Sequence, residues 1–177
     1  MHQAFDFESP ERFIAGTVGP PGERTFFLQA KEGELVVSVA LEKLQVAVLA
    51  DKLEELLNEL TSRFGVTVPT NVAADNDPLD TPVDEEFRVG TLGLAWDEAS
   101  TTIIVEAIEV AAEGGAEDAI DDENLNRLRV RITPATTRQF IDRARKIIAA
   151  GRPPCPLCGQ PLDPSGHLCP RHNGYRR

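Results

Sequence analysis

With 177 residues, 41% of them hydrophobic and 27% charged, the chain is long enough for one hydrophobic core plus a small appendage, and charges interrupt every apolar run well before bilayer-spanning length. Its net charge of −11 is unevenly divided: Met1 to Asn126 carries 7 Lys and Arg against 27 Asp and Glu, a net −20, whereas Arg127 to Arg177 carries 11 against 2, a net +9. An acidic body of that strength repels a long polyanion, which argues against nucleic acid as a partner and leaves a protein, a small anionic ligand, or docking of the two parts on each other.

The opening, Met1-His2-Gln3-Ala4-Phe5-Asp6, has neither a basic n-region nor an apolar h-region, so a cytoplasmic location is expected. Strands come first. Phe5 and Phe7 alternate with polar neighbours, and Arg12 to Val18 runs into the Gly19-Pro20-Pro21-Gly22 turn. Arg24 to Ala30 leads to the Glu32-Gly33-Glu34 turn, and Leu35, Val37, Val39 and Leu41 then share one face. Short turns of this kind predict an antiparallel meander.

The period changes after Leu41. Leu49, Leu53, Leu56 and Leu60 follow helical spacing with charged flanks, which predicts an amphipathic helix from about Glu42 to Arg63, stopped at Gly65. Val68 to Glu86 mixes three prolines with six acidic residues and reads as an exposed, mobile connection. A second strand pair follows, Phe87 to Trp96 and Thr101 to Val110, turning at Asp97-Glu98-Ala99-Ser100. Gly90 and Gly93 lie in the first of these and fit a bulge or a close approach better than a dinucleotide fingerprint, since no helix opens after them.

Ala111 to Asn126 is acidic and glycine-bearing and reads as disordered. Order resumes at Leu128-Arg129-Val130-Arg131-Ile132, where strand geometry turns Leu128, Val130 and Ile132 inward and sets Arg127, Arg129 and Arg131 in a row on the other face. Such a row is usually a solvated outer face; its functional alternative is a surface that holds a small phosphorylated ligand or a carboxylate. A last helix opens at Thr133-Pro134, or a turn later at Thr136 and Gln139, and buries Phe140, Ile141, Ala144, Ile147 and Ile148 before Gly151.

The final segment holds all three cysteines and two of the three histidines: Cys155-Pro156-Leu157-Cys158-Gly159, then Gly166-His167-Leu168-Cys169-Pro170-Arg171-His172. An odd number of clustered thiols does not suit a secreted disulfide framework, whereas three thiolates and one imidazole suit a tetrahedral zinc ion. Two ligand sets satisfy that geometry: Cys155, Cys158, Cys169 and His172, or the same cysteines with His167. Either set closes the coordination shell, which points to structural rather than hydrolytic zinc. With His2 the only histidine elsewhere, no Ser-His-Asp or Cys-His pair is available without dismantling that site, and no phosphate-binding glycine loop or H-E-x-x-H is present.

Phe5-Asp6-Phe7, Arg12 to Gly19, Cys155-Pro156-Leu157-Cys158, Gly166 to Arg171 and Asn173 to Arg177 together resemble an uncharacterised actinobacterial family of similar length, across essentially the whole chain. The resemblance supplies no activity. It implies gene neighbours resembling a phosphatidylinositol 3/4-kinase-like protein and a histidine-phosphatase-type phosphomutase, and it favours His167 over His172 as the fourth ligand. The expected organisation is one α+β domain over residues 1–150, an antiparallel sheet of six or seven strands with two packed helices, followed by a zinc-bound tail over 151–177. The expected function is a non-catalytic binding or adaptor protein with a protein partner; the alternative is an enzyme or binding module for a small phosphorylated ligand at Arg127, Arg129 and Arg131.

Overall fold

A computed structural model describes residues 3–20, 22–111 and 122–150. Seven strands are present there: β1 (Ala4–Phe7), β2 (Arg12–Val18), β3 (Thr25–Glu32), β4 (Leu35–Leu41), β5 (Glu85–Asp97), β6 (Thr102–Glu109) and β7 (Arg127–Ile132). Two helices accompany them, α1 (Lys43–Phe64) and α2 (Pro134–Ala149). All seven strands join one sheet in the order β1-β7-β6-β5-β4-β3-β2. The expected α+β class and its two helices hold, but the sheet is mixed rather than antiparallel. The β2-β3-β4 and β5-β6-β7 meanders are antiparallel, whereas β4 pairs parallel with β5 and β1 parallel with β7. The first parallel pair follows from α1, because a strand-helix-strand crossover returns the chain in its original direction.

The strands β1 and β2 are consecutive in the chain yet form the two edges of the sheet. A flat sheet of seven strands would hold its edges about 29 Å apart. The five residue steps from Phe7 to Arg12 reach at most about 17 Å. The sheet must therefore curl, bringing one edge toward the other. Residues 8–11 hook onto the end of β3 as they cross: the Ser9 amide donates to the Glu32 carboxylate at 2.9 Å and the Glu11 amide to the Lys31 carbonyl at 2.7 Å.

The concave side holds the main core. Phe7, Phe13, Leu28, Val39, Ile103, Leu128 and Val130 face it from the sheet, and Leu49, Leu53, Leu57 and Leu60 fill it from α1. Leu57, not Leu56, completes the buried stripe; Leu56 is only half-buried. Each fully buried leucine contributes roughly 1.5–3 kcal/mol of transfer free energy. The helix starts at Glu42, whose side chain accepts from the Gln45 amide while the Gln45 side chain accepts from Glu42, and it stops at Gly65 in the left-handed region at φ 63°. Gln45 also donates to the Val89 carbonyl at 3.1 Å, seating the helix on β5 beside the irregularity between Val89 and Thr91. A side chain on Gly90 would stand 2.5 Å from the Val110 backbone, so the close approach read from the sequence is present. The Thr133 hydroxyl caps α2 by accepting from the Thr136 amide, resolving its start, and Phe140 stacks on Phe13 with ring centroids 4.9 Å apart.

The expected mobile connection after α1 is instead docked. Val66 and Val68 pack on the main core, and the later part of the segment passes over the convex side of the sheet, where Leu79, only 7% exposed, and the half-buried Val83 pack with Ile14, Phe27 and Ala40. Gly16 makes the room: a Cβ there would lie 2.5 Å from the Leu79 side chain. Composition missed this because it reports the average solubility of a segment and not the few apolar residues that anchor it. Of the segment read as disordered, 112–121 lies outside the described residues, while Asp122 to Asn126 is held by contacts including Arg127 Nη2 to the Asp122 carbonyl at 2.7 Å.

Replacing Gly16 by Val is expected to expel Leu79 and cost about 1–3 kcal/mol, as overpacking does. Urea denaturation measures the loss, and limited proteolysis should become faster within residues 66–84; an unchanged midpoint would mean that the loop is not seated on Gly16.

Candidate functional site

Cys155, Cys158, His167, Cys169 and His172 all lie outside the described residues, as does the whole tail 151–177 and the expected cap Gly151. Among the described residues, no group of three or more His, Cys, Asp and Glu is arranged to hold a metal ion. The described chain ends at Ala150, immediately after α2.

The arginine row stands where strand alternation placed it, with Leu128, Val130 and Ile132 buried and Arg127, Arg129 and Arg131 on the convex face. It is not a bare cationic surface. Arg127 Nη1 pairs with Glu106 on β6 at 3.0 Å, and Arg131 Nη1 pairs with Asp97 at the end of β5 at 2.8 Å. The Asp97 carboxyl is held below its ordinary range, first by the Ser100 hydroxyl and then by Arg131. Arg129 stands between these pairs, in register with Asp6 on β1 and Glu106 on β6. Its Nε is buried and finds no hydrogen-bond partner among the described residues.

A larger polar network, not anticipated from the sequence, fastens the loop after α1. Arg12 grips Asp75 with a two-pronged contact, Nε to Oδ2 at 2.7 Å and Nη2 to Oδ1 at 2.9 Å, and reaches Asp80 with Nη1 at 3.1 Å. Lys31 adds a looser pair with Asp80 at 3.7 Å. Gln29, buried in β3, donates to the Asp80 carbonyl at 3.0 Å and accepts from the Asp80 amide at 2.8 Å, so its side chain pairs with the loop as a strand backbone would. Arg143 of α2 is 9% exposed and spends its donors on three carbonyls: Ala15 at 2.7 Å, Asp75 at 2.8 Å and Asp77 at 2.6 Å. Burial lowers the Arg143 pKa, opposed by the charge of Asp75. A second charge cluster joins the helices, with Glu54 of α1 forming ion pairs with Arg138 at 2.6 Å and Arg145 at 3.6 Å. Arg138 holds the Glu54 carboxyl below its ordinary range.

The sequence signal for Arg143 was weak, since an arginine late in a helix also suits the helix dipole. Its position one place before the core residue Ala144 was the available hint. On the other side of α1, Val48, Leu56, Leu92, Leu94 and Trp96 line an open groove of about 560 Å³ in which the Trp96 indole N–H is buried without a partner among the described residues.

These features define a mixed α+β domain with a curled seven-stranded sheet, internally matched charges and no helix, among the described residues, long and apolar enough to cross a membrane. The chain belongs to the DUF3090 family of proteins of unknown function, whose model matches residues 5–169. That match contains Cys155, Cys158, His167 and Cys169 and ends before His172. No curated protein and no solved structure matches the chain.

The Asp75 carboxyl is lowered first by its hydrogen bond to Arg12, then by the Asp77 amide and the charges of Arg12 and Arg143, against desolvation. A lowered carboxyl stabilises the fold fully above its unfolded value of about 3.9, and that contribution fades as pH falls through the folded value. The Asp75→Asn variant should therefore lose stability at neutral pH and show a shallower decline than the wild type below about pH 4. Urea midpoints measured across that range check this; parallel curves would remove Asp75 from the latch.

Proposed function

We propose that the protein is a non-catalytic, zinc-containing binding or adaptor protein in the cytoplasm. Its curled-sheet domain is the scaffold, and its tail 151–177 is the contact surface. The observation that carries this reading is the donor set of the tail, three cysteines and two histidines between Cys155 and His172, and the carboxylates of the domain accord with a structural role. Asp75, Glu54 and Asp97 are each held below the ordinary range by hydrogen bonds that favour the ion, with an arginine among the donors. A base is effective when its pKa lies near the working pH, so carboxylates tuned downward are poor proton acceptors and good structural ions. In the tail, three thiolates and one imidazole make a donor set that fits tetrahedral zinc, and the two C-x-x-containing turns are too short to build a core without the metal. Cys155, Cys158, Cys169 and His167 would hold the ion, with His172 as the competing fourth ligand; the ion would supply rigidity. The gene neighbours implied by the sequence resemblance favour a phosphoryl-transfer protein, kinase-like or phosphomutase-like, as the partner.

Protein purified reduced and without chelator should carry one zinc per chain. His167→Ala should lower that content and His172→Ala should not; the reverse pattern assigns His172, and metal-free wild type overturns the zinc reading. Affinity capture from a native host tests the adaptor role, and a chain that is strictly solitary and monomeric there would count against it.

A second reading places a small phosphorylated ligand on the arginine row. It is favoured by the buried, unpartnered Nε of Arg129 between two satisfied neighbours. A phosphometabolite that raises the melting temperature of the wild type, with the shift abolished in Arg129→Ala, would promote this reading over the adaptor.

A further inference from the structure

The acidic body from Met1 to Asn126 owns only 7 Lys and Arg. Four are engaged by carboxylates and stand apart from one common cationic cavity: Arg12 and Lys31 by Asp75 and Asp80, Lys52 by Glu55, and Arg63 by Glu59. The other three, Arg24, Lys43 and Arg88, come from the residue before β3, the first turn of α1 and the early part of β5. They line one cavity of about 300 Å³ together with Thr25, Phe26 and Glu42. Glu42 is the one carboxylate in that lining, so the cavity carries three cations against one anion within a body whose ratio is 7 to 27.

Two of the cations are already positioned. Arg24 Nη1 donates to the Ile147 carbonyl in the last turn of α2 at 2.8 Å, and its guanidinium lies 4.9 Å over the Phe26 ring. Arg88 Nη1 donates to Glu42 at 2.9 Å, and Glu42 also accepts the Gln45 amide as the helix cap. Lys43 is exposed and makes no hydrogen bond or ion pair with any described residue. Gathering like charges at one concavity raises the free energy of the folded state unless an anion neutralises them, and concave walls focus the resulting potential. Two guanidinium groups with donors to spare and one mobile ammonium suit a phosphoryl dianion, and the volume suits a small molecule. We infer that this cavity binds a small phosphorylated molecule, with its phosphoryl group held by Arg24, Lys43 and Arg88. The inference uses neither the zinc tail nor the β7 arginines, so it stands or falls apart from both readings above.

Calorimetric titration of the full chain at constant ionic strength tests it, with inorganic pyrophosphate and glycerol 2-phosphate as probes and succinate as the dicarboxylate control. At least one phosphorylated probe should bind saturably, and Lys43→Gln should weaken it about tenfold or more, the loss of one charge-assisted contact. Lys43 is exposed and unpaired with any described residue, so that variant leaves the fold intact; Arg88→Gln should weaken binding further, and Arg129→Ala should not change it. The inference is overturned if neither probe saturates in the millimolar range, if Lys43→Gln binds like the wild type, if succinate binds as tightly, or if Arg129→Ala alone abolishes binding.

Discussion

The four residues between β1 and β2 impose the shape of this protein. They connect the two outermost strands of a seven-stranded sheet, a distance a flat sheet would not let them cross. The ordinary right-handed twist of adjacent strands supplies part of the curvature, and the linker requires the rest. A curled sheet has a deep concave face, and that face accepts α1 as a filling element rather than a cover. Most of the buried hydrophobic residues described in the seven strands and both helices consequently fall into a single core, with Ile14, Phe27, Ala40 and Leu79 forming a smaller cluster on the convex side.

Curling leaves β2 as an edge whose backbone carbonyls need partners, and it leaves the convex side of β2, β3 and β4 apolar enough to need a cover. Both needs are met by the chain between α1 and β5. Leu79 fills the space over Gly16, and Gln29, Arg12 and Arg143 hold the flanking residues by backbone and carboxylate contacts. Arg143 serves both purposes, since it accepts neither solvent exposure nor isolation: one donor goes to the edge carbonyl of Ala15 and two to the loop. Breaking such a buried group leaves an uncompensated charge or several orphaned carbonyls, so its removal costs more than the pairing gains.

The division between an acidic body and a basic end has a similar resolution. Of the seven Lys and Arg between Arg127 and Ala150, five pair with carboxylates: Arg127 with Glu106, Arg131 with Asp97, Arg138 with Glu54, Arg143 with Asp75 and Arg145 with Asp51. Attraction within the chain therefore engages most of the described cations of the basic end, in keeping with docking of the two parts on each other. What it leaves over is informative. Arg129 lacks a partner among the described residues, and the Arg24, Lys43 and Arg88 cavity is positive inside an acidic body. Ligand chemistry is best sought at such residual imbalances, because structural pairing has already absorbed the rest.

The periodic elements were legible. Alternation marked β4 and β7 and their inward faces, and the spacing of Leu49, Leu53 and Leu60 marked α1, though Leu57 took the place assigned to Leu56. Thr133-Pro134 and Gly65 marked helix ends through chemistry that acts within one turn. The expected metal-ligand pattern of the tail is likewise a spacing among near neighbours, on residues outside those described. These signals share a cause: the periods of strand and helix, capping and knuckle spacing all arise from backbone geometry over a few residues. The sequence by itself therefore determined which segments are strands and helices and which donors lie close along the chain. Only the tertiary structure decided that the sheet is mixed, that its edges approach, that an acidic proline-bearing loop is seated, and that three scattered cations share one cavity. The Arg143 to Ala15 contact spans 128 positions and the Arg24 to Ile147 contact spans 123, and no local rule reaches so far. Such contacts exist because a particular sheet order brings those backbones together, and a one-dimensional pattern does not contain that order.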